Sequence, residues 1–443
     1  MKIVICGFGS AGYAAAMAVK RTDPGAEIIV IDPKYSDLMH PCGIPYALEG
    51  VVNPVDLLQD ISLNKAGIKR FRGRVVRINT AAKEAEYTSD KGDKPEKYDS
   101  LVIASGNRAV IPPVKGMDEL PGKSVFTLKD IGDLHNILEA GRSSKKCAVI
   151  GGGAIGIEAA FALNRLGKEV SIVEMRKQLL SGILDPDMSV LAENYLASEG
   201  ISIIKGEMVT ELEGAGSLKK LVCSGGTIEA DMAILAAGFV PDLSIAVNSG
   251  IEASGSGIKT DTFMRTSAQS VFAAGDCIAG WSSIDGKPVT SRLATSAFKQ
   301  GTVAGLNAIG GDNEYRGTAS TFVTRIGDFE IAGTGFNTET AAQRGFEPLS
   351  GKITSKVRPE YYPDNTDITV KIIFDRNSGT ILGAQCAGKE GAASRINIIS
   401  MAVEFGITID ELWRTELAYC PSVSEVYDPL LRAADLGIRR MKR

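Results

Sequence analysis

The glycines at residues 7–12 and 151–156 have a spacing with which a backbone can bind phosphate. These segments read GFGSAG and GGGAIG, both of the form G-x-G-x-x-G. Each follows an apolar run and precedes a helix-like stretch, which is the context that the motif requires. The glycines permit a tight turn, close approach to a pyrophosphate and packing of helix on strand, and the helix N-terminus favours the anion. Because the two copies begin 144 residues apart, we expect two nucleotide sites rather than ordinary glycine turns.

An acidic residue ends the second apolar strand after each motif. Asp32 closes EIIVID and Glu174 closes EVSIVE, 25 and 23 residues after the first glycine of the respective motif. An acid at this place accepts hydrogen bonds from ribose hydroxyls, whereas a surface acid at a strand end is the simpler alternative. Two nucleotide sites in one chain indicate two cofactors that exchange electrons, and FAD with a nicotinamide nucleotide is the natural pair.

The residues around Glu174 bear on the choice of nicotinamide nucleotide. A carboxylate repels a 2′-phosphate and accepts from a 2′-hydroxyl, which favours NADH. Arg176 and Lys177 follow Glu174 directly and could neutralise a phosphate. NADPH therefore stays open as the alternative.

Composition and cysteine usage exclude several classes of protein. The chain has 443 residues, 23% of them charged, and a net charge of −4, so we expect two or three domains and no nucleic-acid partner. Seven cysteines without C-x-x-C and only two histidines predict neither a disulfide framework nor a metal site. The first residues run directly into a strand and the apolar runs are short. We therefore expect no signal peptide, no membrane partner and a cytoplasmic protein.

The order of apolar and amphipathic segments predicts an α/β fold with two Rossmann-like dinucleotide-binding domains and a C-terminal α+β dimerisation domain. Apolar strands are predicted at 100–113 and 232–242, both with small residues and glycine where a chain passes close to a cofactor. Helices are predicted at 293–311 and 394–406, and a strand at 367–375.

With these motifs the chain resembles the pyridine nucleotide–disulfide oxidoreductase superfamily, in its single-cysteine branch. That branch includes coenzyme A-disulfide reductase, NADH oxidase, NADH peroxidase and persulfide reductase. The matching segments are GFGSAG, HPCGIPYALEG, LVIASGNRAVIPP, VIGGGAIGIE, VFAAGDC, LATSAFKQG and LAYCPSVSEVYDPL. The resemblance implies a homodimer whose FAD-binding domain comprises residues 1–113 and 244–317. The NAD(P)-binding domain would be 114–243, and the dimerisation domain 318–443.

The fingerprints and the resemblance together give the candidate cofactor-binding residues. The resemblance places Asp276 at the ribityl chain of FAD and directs the LATSAFKQG helix at the flavin. The full set is Gly7, Gly9, Ser10, Ala11, Gly12, Asp32, Pro33, Ala104, Ser105, Gly106, Gly151, Gly153, Ala154, Ile155, Gly156, Glu158, Glu174, Arg176, Gly238, Gly275, Asp276, Ala294 and Thr295.

The resemblance makes Cys42 the redox centre, beside the flavin and at the start of a helix, where the helix N-terminus stabilises a thiolate. In the two-cysteine reductases a partner cysteine follows five residues later, but here that position is Ala47. Cys42 therefore cannot close a local disulfide, and its oxidised form would be a mixed disulfide, a persulfide or a sulfenic acid. A structural buried cysteine is the alternative.

Tyrosines near the C-terminus are candidates for the proton donor. Tyr419, together with Tyr361 or Tyr362, matches tyrosines that reach the partner subunit's cysteine in the coenzyme A-type reductases. A phenol there could hydrogen-bond a departing thiolate or protonate it, and an ordinary core tyrosine is the alternative. Cys420 follows Tyr419 and is either a resolving thiol across the dimer or inert packing.

Three basic residues are candidates for substrate binding. Lys20 and Arg21 match positions that meet coenzyme A phosphates in the family, although a solvated helix end explains them equally well. His40 lies two residues before Cys42 in LMHPC, where relatives have Ser-Phe-Ala-Asn-Cys, so coenzyme A is only one possible substrate. His40 is either an acid/base group for Cys42 or a loop residue.

We therefore expect an FAD-dependent NAD(P)H oxidoreductase that reduces a small disulfide, persulfide or polysulfide through Cys42. One alternative is an NADH oxidase that cycles through a Cys42 sulfenic acid. Ser10 counts against it, because the peroxide- and oxygen-reducing relatives carry a histidine at that position. Another is an NADH-dependent electron-transfer reductase for a small redox protein.

Overall fold

The computed structural model describes residues 1–90, 92–120 and 122–442, in which strands and helices alternate. The strands are β1 (Lys2–Cys6), β2 (Glu27–Asp32), β3 (Leu38–Met39), β4 (Leu58–Gln59), β5 (Ile68–Arg72), β6 (Arg74–Asn79), β7 (Glu84–Thr88), β8 (Lys94–Lys97), β9 (Ser100–Ile103), β10 (Asn107–Ala109), β11 (Val125–Thr127), β12 (Lys146–Ile150), β13 (Glu169–Glu174), β14 (Ser202–Lys205), β15 (Val209–Glu213), β16 (Lys220–Cys223), β17 (Gly226–Glu229), β18 (Met232–Leu235), β19 (Phe239–Pro241), β20 (Ala253–Ser254), β21 (Gly257–Ile258), β22 (Val271–Ala273), β23 (Gly280–Trp281), β24 (Pro288–Val289), β25 (Phe322–Ile326), β26 (Phe329–Gly335), β27 (Pro348–Lys356), β28 (Asp367–Asp375) and β29 (Ile381–Gly388).

The helices lie between these strands, and two 3-10 turns lie at Pro41–Gly43 and Pro54–Leu57. The helices are α1 (Ser10–Thr22), α2 (Ile44–Glu49), α3 (Ile131–Gly141), α4 (Ala154–Arg165), α5 (Pro186–Ser198), α6 (Ser244–Asn248), α7 (Ala294–Ala308), α8 (Thr338–Gln343), α9 (Ala392–Glu404), α10 (Ile409–Trp413) and α11 (Pro429–Met441). Within the described part of the chain, no helix has the length and apolar character needed to cross a bilayer.

The chain forms two compact units, each assembled from separate segments. The first contains Met1–Pro41, Asn53–Ala109 and Phe239–Thr318, and the second contains Cys42–Val52, Val110–Gly238 and the chain from Ala319 onward. The three-domain boundaries expected from the sequence remain a prediction, and the last residue of the expected dimerisation domain, Arg443, lies outside the described residues.

The first unit is organised around a five-stranded parallel sheet in the order β22-β9-β1-β2-β5. Four of the five residues of β1 are fully buried, as is typical of a parallel sheet covered on both faces. Helices α1 and α7 pack with their backbones close together. A Cβ at Gly301 would collide with the carbonyl group of Ala11, so this contact requires glycine. The first glycine motif lies at the carboxyl end of β1, at the point where the strand order reverses, which is where α/β sheets bind ligands.

The second unit repeats this plan and adds an antiparallel sheet. Its parallel sheet has the order β11-β18-β12-β13-β14, so β12 occupies the place that β1 has in the first unit. The C-terminal sheet has the order β25-β26-β29-β28-β27, and β27 and β28 pair over their full length, from Pro348 with Asp375 to Lys356 with Asp367. The predicted fold class is thereby confirmed.

Two predicted strands are interrupted where the sequence suggested continuity. The strand predicted at 100–113 is divided into β9 and β10, and the strand predicted at 232–242 into β18 and β19. Left-handed turns at Gly106 (φ 71°) and Gly238 (φ 96°) break the two strands, and β10 then pairs with β19 in antiparallel fashion. The strand predicted at 367–375 is β28, and the helices predicted at 293–311 and 394–406 are α7 and α9, with small shifts at their ends.

Candidate active site

The first glycine loop leaves space for a phosphate. Gly7 has φ 99°, and a Cβ there would collide with the carbonyl oxygen of Ala104, so only glycine fits. A Cβ at Gly9, in contrast, would have no heavy atom within 4 Å. The backbone at Gly9 is therefore open to a ligand, and α1 begins at the next residue with its N–H groups at this end. These features fit the pyrophosphate of FAD.

The second glycine loop has the same construction. Gly151 has φ 113° and approaches the carbonyl group of Ala236 too closely for a Cβ, whereas Gly153 again has open space. A Cβ at Gly156 would collide with the carbonyl oxygen of Gly151, just as one at Gly12 would collide with that of Gly7. This second loop fits the pyrophosphate of a nicotinamide nucleotide.

The two acids at the strand ends accept hydrogen bonds from the backbone of these loops. The Asp32 Oδ2 accepts the backbone N–H of Phe8 at 2.7 Å, and the Glu174 Oε2 accepts that of Gly152 at 2.6 Å. Both acids are buried. Sequence reasoning expected only ribose binding from them, because the loop contact depends on how the chain folds back. Each acid therefore holds its glycine loop through a backbone hydrogen bond.

The surroundings of the two acids differ. Lys34 Nζ lies 2.6 Å from Asp32, and Arg70 lies 3.7 Å away, so this carboxylate is balanced by cations. The Glu174 Oε1 accepts the backbone N–H of Arg176 at 2.7 Å, while the Arg176 and Lys177 side chains are exposed. Lys34 and Arg70 were not predicted as site residues.

Asp276 is held by residues that the sequence did not single out. Asn107 Nδ2 donates to the Asp276 Oδ2 at 2.5 Å, across 169 positions of the chain. The neighbouring Gly275 donates its N–H to Gln300 Oε1, on α7, at 2.9 Å. Burial lowers the pKa of Arg292, and the Asp276 carboxylate acts in the opposite direction. Asn107 and Arg292, which interact with Asp276, therefore belong to the candidate flavin site, and they were not identified from the sequence.

The remaining predicted cofactor residues lie at loop ends and helix starts. Ser105 Oγ donates to the Asp242 carbonyl at 3.0 Å, and Pro33 is exposed directly after β2. The first turns of α1, α4 and α7 contain Ser10, Ala11, Gly12, Ala154, Ile155, Gly156, Ala294 and Thr295. The turns after β9 and β18 contain Ala104, Gly106 and Gly238. Their contacts with cofactor remain predictions.

Cys42 is exposed and lies in the 3-10 turn that leads directly into α2. Ala47, five residues later, is buried in α2. The structure thus places the cysteine at a helix start, as the sequence indicated, with an alanine on the following helix where the two-cysteine reductases have their partner.

The helix that follows Cys42 packs against the second nucleotide-binding helix, α4. Tyr46 Oη donates to the Arg325 carbonyl at 3.3 Å, and the Glu158 carboxyl accepts the hydroxyl of Thr324 in a short hydrogen bond. Burial raises the pKa of Glu158 to about 7, although the Thr324 hydrogen bond opposes this shift. Burial, followed by the Glu158 charge, also raises the pKa of Tyr46.

The structure distinguishes between the two neighbouring tyrosine candidates. Tyr361 Oη lies 3.4 Å from Tyr419 Oη, while Tyr362 lies under the guanidinium of Arg358 at 5.4 Å. The hydrogen bond with Tyr361 is the main reason that the pKa of Tyr419 rises to about 12. Tyr361 and Tyr419 are both exposed. The pair that could act together is therefore Tyr361 and Tyr419, and Tyr362 is the less suitable alternative.

Cys420 is also exposed, and its Sγ lies 3.3 Å from Ser422 Oγ. Hydrogen bonds from the Ser422 hydroxyl and backbone lower the pKa of the Cys420 thiol. The segment that carries Tyr419 and Cys420 leads to Asp428, which forms a buried two-point ion pair with Arg395 at 2.9 and 2.6 Å. Whether Cys420 acts as a resolving thiol remains a prediction.

The basic substrate candidates have other partners in this structure. Lys20 Nζ donates to the Pro24 carbonyl at 2.8 Å, which closes the end of α1. Arg21 is exposed. His40 Nε2 lies 3.1 Å from Gln59 Oε1. Substrate contacts for these three residues remain predictions.

Two dinucleotide-binding folds, together with an exposed cysteine at a helix start, define an oxidoreductase with two nucleotide cofactors. Residues 1–301 match the pyridine nucleotide-disulphide oxidoreductase family, and residues 321–430 match its dimerisation domain. The chain belongs to this family, and its cofactors are FAD and NAD(P)H.

Relatives with named activities match over nearly all of the chain. An NADH oxidase of Methanocaldococcus jannaschii is 32% identical over 100% of this chain and 99% of its own length. A CoA-dependent NAD(P)H sulfur oxidoreductase of Pyrococcus furiosus is 31% identical over 97% of each chain. The solved NAD-dependent persulfide reductase from A. fulgidus superposes with a TM-score of 0.96, at 30% identity, over 100% of this chain and 84% of that one. The resemblance inferred from the motifs is confirmed.

Proposed function

We propose that this protein uses NAD(P)H and FAD to reduce a small disulfide, persulfide or polysulfide through Cys42. The observation that carries the proposal is the setting of this cysteine. Cys42 is exposed at the start of α2, and Ala47 occupies the place of a local disulfide partner. With no local partner, a thiolate in that setting can form a mixed disulfide with a small substrate.

The reaction balances as NAD(P)H + H⁺ + RSSR → NAD(P)⁺ + 2 RSH. The Cys42 thiolate attacks one sulfur of the substrate, the S–S bond breaks, and the first thiolate leaves and takes a proton. Two electrons then break the mixed disulfide between Cys42 and the second sulfur, and this sulfur leaves as a thiolate that takes the second proton. Bound FAD supplies the two-electron chemistry that links NAD(P)H to sulfur. The chain's own part is to hold the thiolate at a helix start and to donate a proton to the leaving sulfur.

The names of the relatives support sulfur as the substrate class. The Pyrococcus furiosus relative is described as CoA-dependent and the A. fulgidus relative as a persulfide reductase. Coenzyme A is therefore a candidate carrier of the sulfur in this protein as well. Lys20, Arg21 and His40 are the residues that we propose to contact it.

We propose a homodimer in which residues 318–443 supply most of the interface. The match of residues 321–430 to a dimerisation domain supports this arrangement. Tyr419 would then lie near Cys42 of the other subunit and donate the proton, with Tyr361 as its hydrogen-bonded neighbour. Obligate dimers of this kind bury roughly 2,000 Å² or more.

An NADH oxidase activity is the second candidate, because the Methanocaldococcus jannaschii relative has that name. Cys42 would then cycle between thiolate and sulfenic acid. Ser10 argues against this activity, since the side chain of serine, unlike that of histidine, does not titrate near neutral pH. NADH-dependent oxygen uptake by the purified protein measures it directly.

The deciding experiment is a substrate panel without oxygen. NADH and NADPH oxidation are followed with coenzyme A disulfide, its persulfide, polysulfide and glutathione disulfide. We expect at least one sulfur substrate to be turned over much faster than the background. No turnover with any of them, together with rapid NADH-dependent oxygen consumption, would replace this proposal with the oxidase.

A further inference from the structure

Two contacts hold the backbone of Gly152, the middle residue of the three glycines in the second loop. Its N–H donates to Glu174, and its carbonyl accepts the backbone N–H of Leu180 at 2.8 Å. A Cβ at Gly152 would collide with the side chain of Leu179, so the segment 175–184 lies directly against the loop. The position of this segment therefore determines where the carbonyl of Gly152 lies.

Helix α5 holds the segment 175–184 in an uncommon backbone conformation. Leu180 has φ 51°, which few residues other than glycine adopt and which persists only where neighbouring groups impose it. Ser189 Oγ, on α5, donates to the Leu179 carbonyl at 2.7 Å, and Glu193 Oε1 accepts the Leu179 N–H at 3.1 Å. Leu179, Leu180 and Ser189 are all buried. The segment and α5 are therefore joined by packing and by hydrogen bonds.

The N-cap residue of α5, Asp185, binds the C-terminal part of the chain. A side chain at this position ordinarily accepts an N–H of its own helix, but among the described residues Asp185 makes no such bond. Its Oδ1 accepts the backbone N–H of Thr338 at 2.9 Å, and its Oδ2 accepts the Thr338 hydroxyl at 2.7 Å. The backbone N–H of Asp185 donates to Gln385 Oε1, on β29, at 2.9 Å. Because Thr338 is the first residue of α8, Asp185 caps α8 instead of α5.

A buried lysine completes this contact. Lys371 Nζ, on β28, lies 2.7 Å from Asp185 Oδ2 and 2.8 Å from Asp187 Oδ1. Lys352, on β27, lies 3.0 Å from the other carboxylate oxygen of Asp187, so that positive and negative groups alternate. Asp185 and Lys371 are both buried, where a charge is stable only when it is paired. The start of α5 is thus fixed to α8 and to the C-terminal sheet.

We propose that Asp185 is a positioning residue for the nicotinamide nucleotide. By anchoring α5 to the C-terminal sheet, it fixes the segment 175–184 and, through Leu180, the carbonyl of Gly152. The same segment contains Arg176 and Lys177, next to the proposed acceptor of the 2′-hydroxyl. Affinity for the nucleotide therefore depends on a contact with the part of the chain that matches the dimerisation domain. This inference concerns the NAD(P)H site and is independent of the acceptor that Cys42 reduces.

Binding of NAD⁺ to the FAD-loaded enzyme, measured by titration calorimetry, tests this role without turnover. Asp185→Asn removes the charge that pairs with Lys371, and Thr338→Val removes one hydrogen bond with almost no change in shape. The dissociation constant for NAD⁺ should rise at least about fivefold in Asp185→Asn and by a smaller factor in Thr338→Val. Thr338→Ser keeps the hydroxyl and should bind NAD⁺ like the wild type. If Asp185→Asn does not fold, equal NAD⁺ affinity in Thr338→Val and Thr338→Ser overturns the inference.

Two control variants separate positioning from a general loss of stability. Tyr195→Phe removes a hydrogen bond to Asp328, which joins the other end of α5 to the turn between β25 and β26. Arg395→Met removes a buried cation from the C-terminal part of the chain, away from α5. Both variants should keep the wild-type affinity for NAD⁺, although Arg395→Met melts at a lower temperature. A loss of NAD⁺ affinity in either control as large as that in Asp185→Asn would overturn the inference.

Hydrogen exchange and steady-state kinetics report on the loop itself. The N–H of Leu180 is protected by its bond to Gly152, so peptides from 175–184 should exchange faster in Asp185→Asn, while peptides from 7–12 should not change. With an artificial dye as acceptor, KM for NADH should rise while kcat at saturating NADH stays near the wild type. Wild-type exchange at 175–184, or a wild-type KM for NADH, would show that Asp185 is only structural. Failure to find a sulfur substrate would remove the proposed function and leave these results unaffected.

Discussion

The hydroxyl of Tyr361 lies 3.4 Å from that of Tyr419, across 58 positions of the chain. Their loops are held in different ways. Arg358 and Glu390 form an ion pair at 2.6 Å at the base of the Tyr361 loop, and the Arg395–Asp428 pair anchors the segment after Tyr419. A phenol whose pKa is about 12 stays protonated at neutral pH, so Tyr419 can donate a hydrogen bond to a leaving thiolate.

Tyr419→Phe removes the proposed proton donor with almost no loss of volume. Because a positioned acid contributes at least about 10²-fold, kcat for sulfur reduction should fall by roughly that factor. Tyr361→Phe should reduce it less, and Tyr362→Phe should leave it near the wild type. Flavin reduction by NADH, measured separately in a stopped-flow instrument, should be unchanged in all three. A Tyr362→Phe defect larger than that of Tyr419→Phe would reverse the assignment.

Asn107→Ala should weaken FAD binding, because it removes the side chain that orients Asp276. A hydrogen bond to a charged group is worth roughly 1.5–3 kcal/mol, so the FAD dissociation constant should rise about tenfold or more. Asp276→Ala should have a larger effect. Asn248→Ala, an exposed asparagine that donates to the Val76 carbonyl, is the control. Equal flavin retention in all variants, measured by absorbance after gel filtration, would show that Asp276 has no part in the flavin site.

Glu174→Ala should change the choice of nucleotide. The variant loses the proposed acceptor for the 2′-hydroxyl and the brace on Gly152, so KM for NADH should rise at least about tenfold. KM for NADPH should change less, since repulsion of its phosphate is also removed. The double variant Arg176→Ala with Lys177→Ala should weaken the binding of NADPH but not that of NADH. Initial rates with both nucleotides give the ratios, and an unchanged KM for NADH in Glu174→Ala would contradict the assignment.

Arg395→Met tests the buried ion pair that anchors the C-terminal segment. It leaves the buried Asp428 carboxylate without its cation, which costs about 3–5 kcal/mol of unfolding free energy. Arg439→Met is the matched control, because it breaks an exposed pair with Asp435 on the same helix that is worth only about 0.3–0.5 kcal/mol. Thermal unfolding of the two variants should differ by several degrees. Similar losses of stability in both variants would mean that the buried ion pair contributes little to the free energy of unfolding.

Local patterns carried enough information to predict the fold class and the nucleotide loops. Glycine fingerprints and apolar strands such as β1 depend on neighbouring residues, so Gly9 and Gly153 could be recognised from spacing alone. The breaks after β9 and β18 were missed, because apolar residues resume soon after Gly106 and continue through Gly238, and only the folded sheet shows where pairing stops.

Contacts between distant parts of the chain could not be predicted in this way. Asn107 meets Asp276 and Thr324 meets Glu158, pairs that lie 169 and 166 positions apart. Likewise, Tyr361 and Tyr362 are equivalent in a sequence pattern, and only the backbone decides which hydroxyl turns toward Tyr419. The roles of the strand-end acids as braces for the glycine loops also depend on this tertiary geometry.

The most direct test of the account is Cys42→Ser, assayed in two ways on the same preparation without oxygen. Electron transfer from NADH to an artificial dye needs the nucleotide and flavin sites but no thiol, so its rate should stay within about twofold of the wild type. Reduction of the sulfur substrate should fall to background, because serine cannot form the mixed disulfide. Sulfur reduction near the wild-type rate in Cys42→Ser would show that Cys42 is a structural residue and would contradict the proposed function.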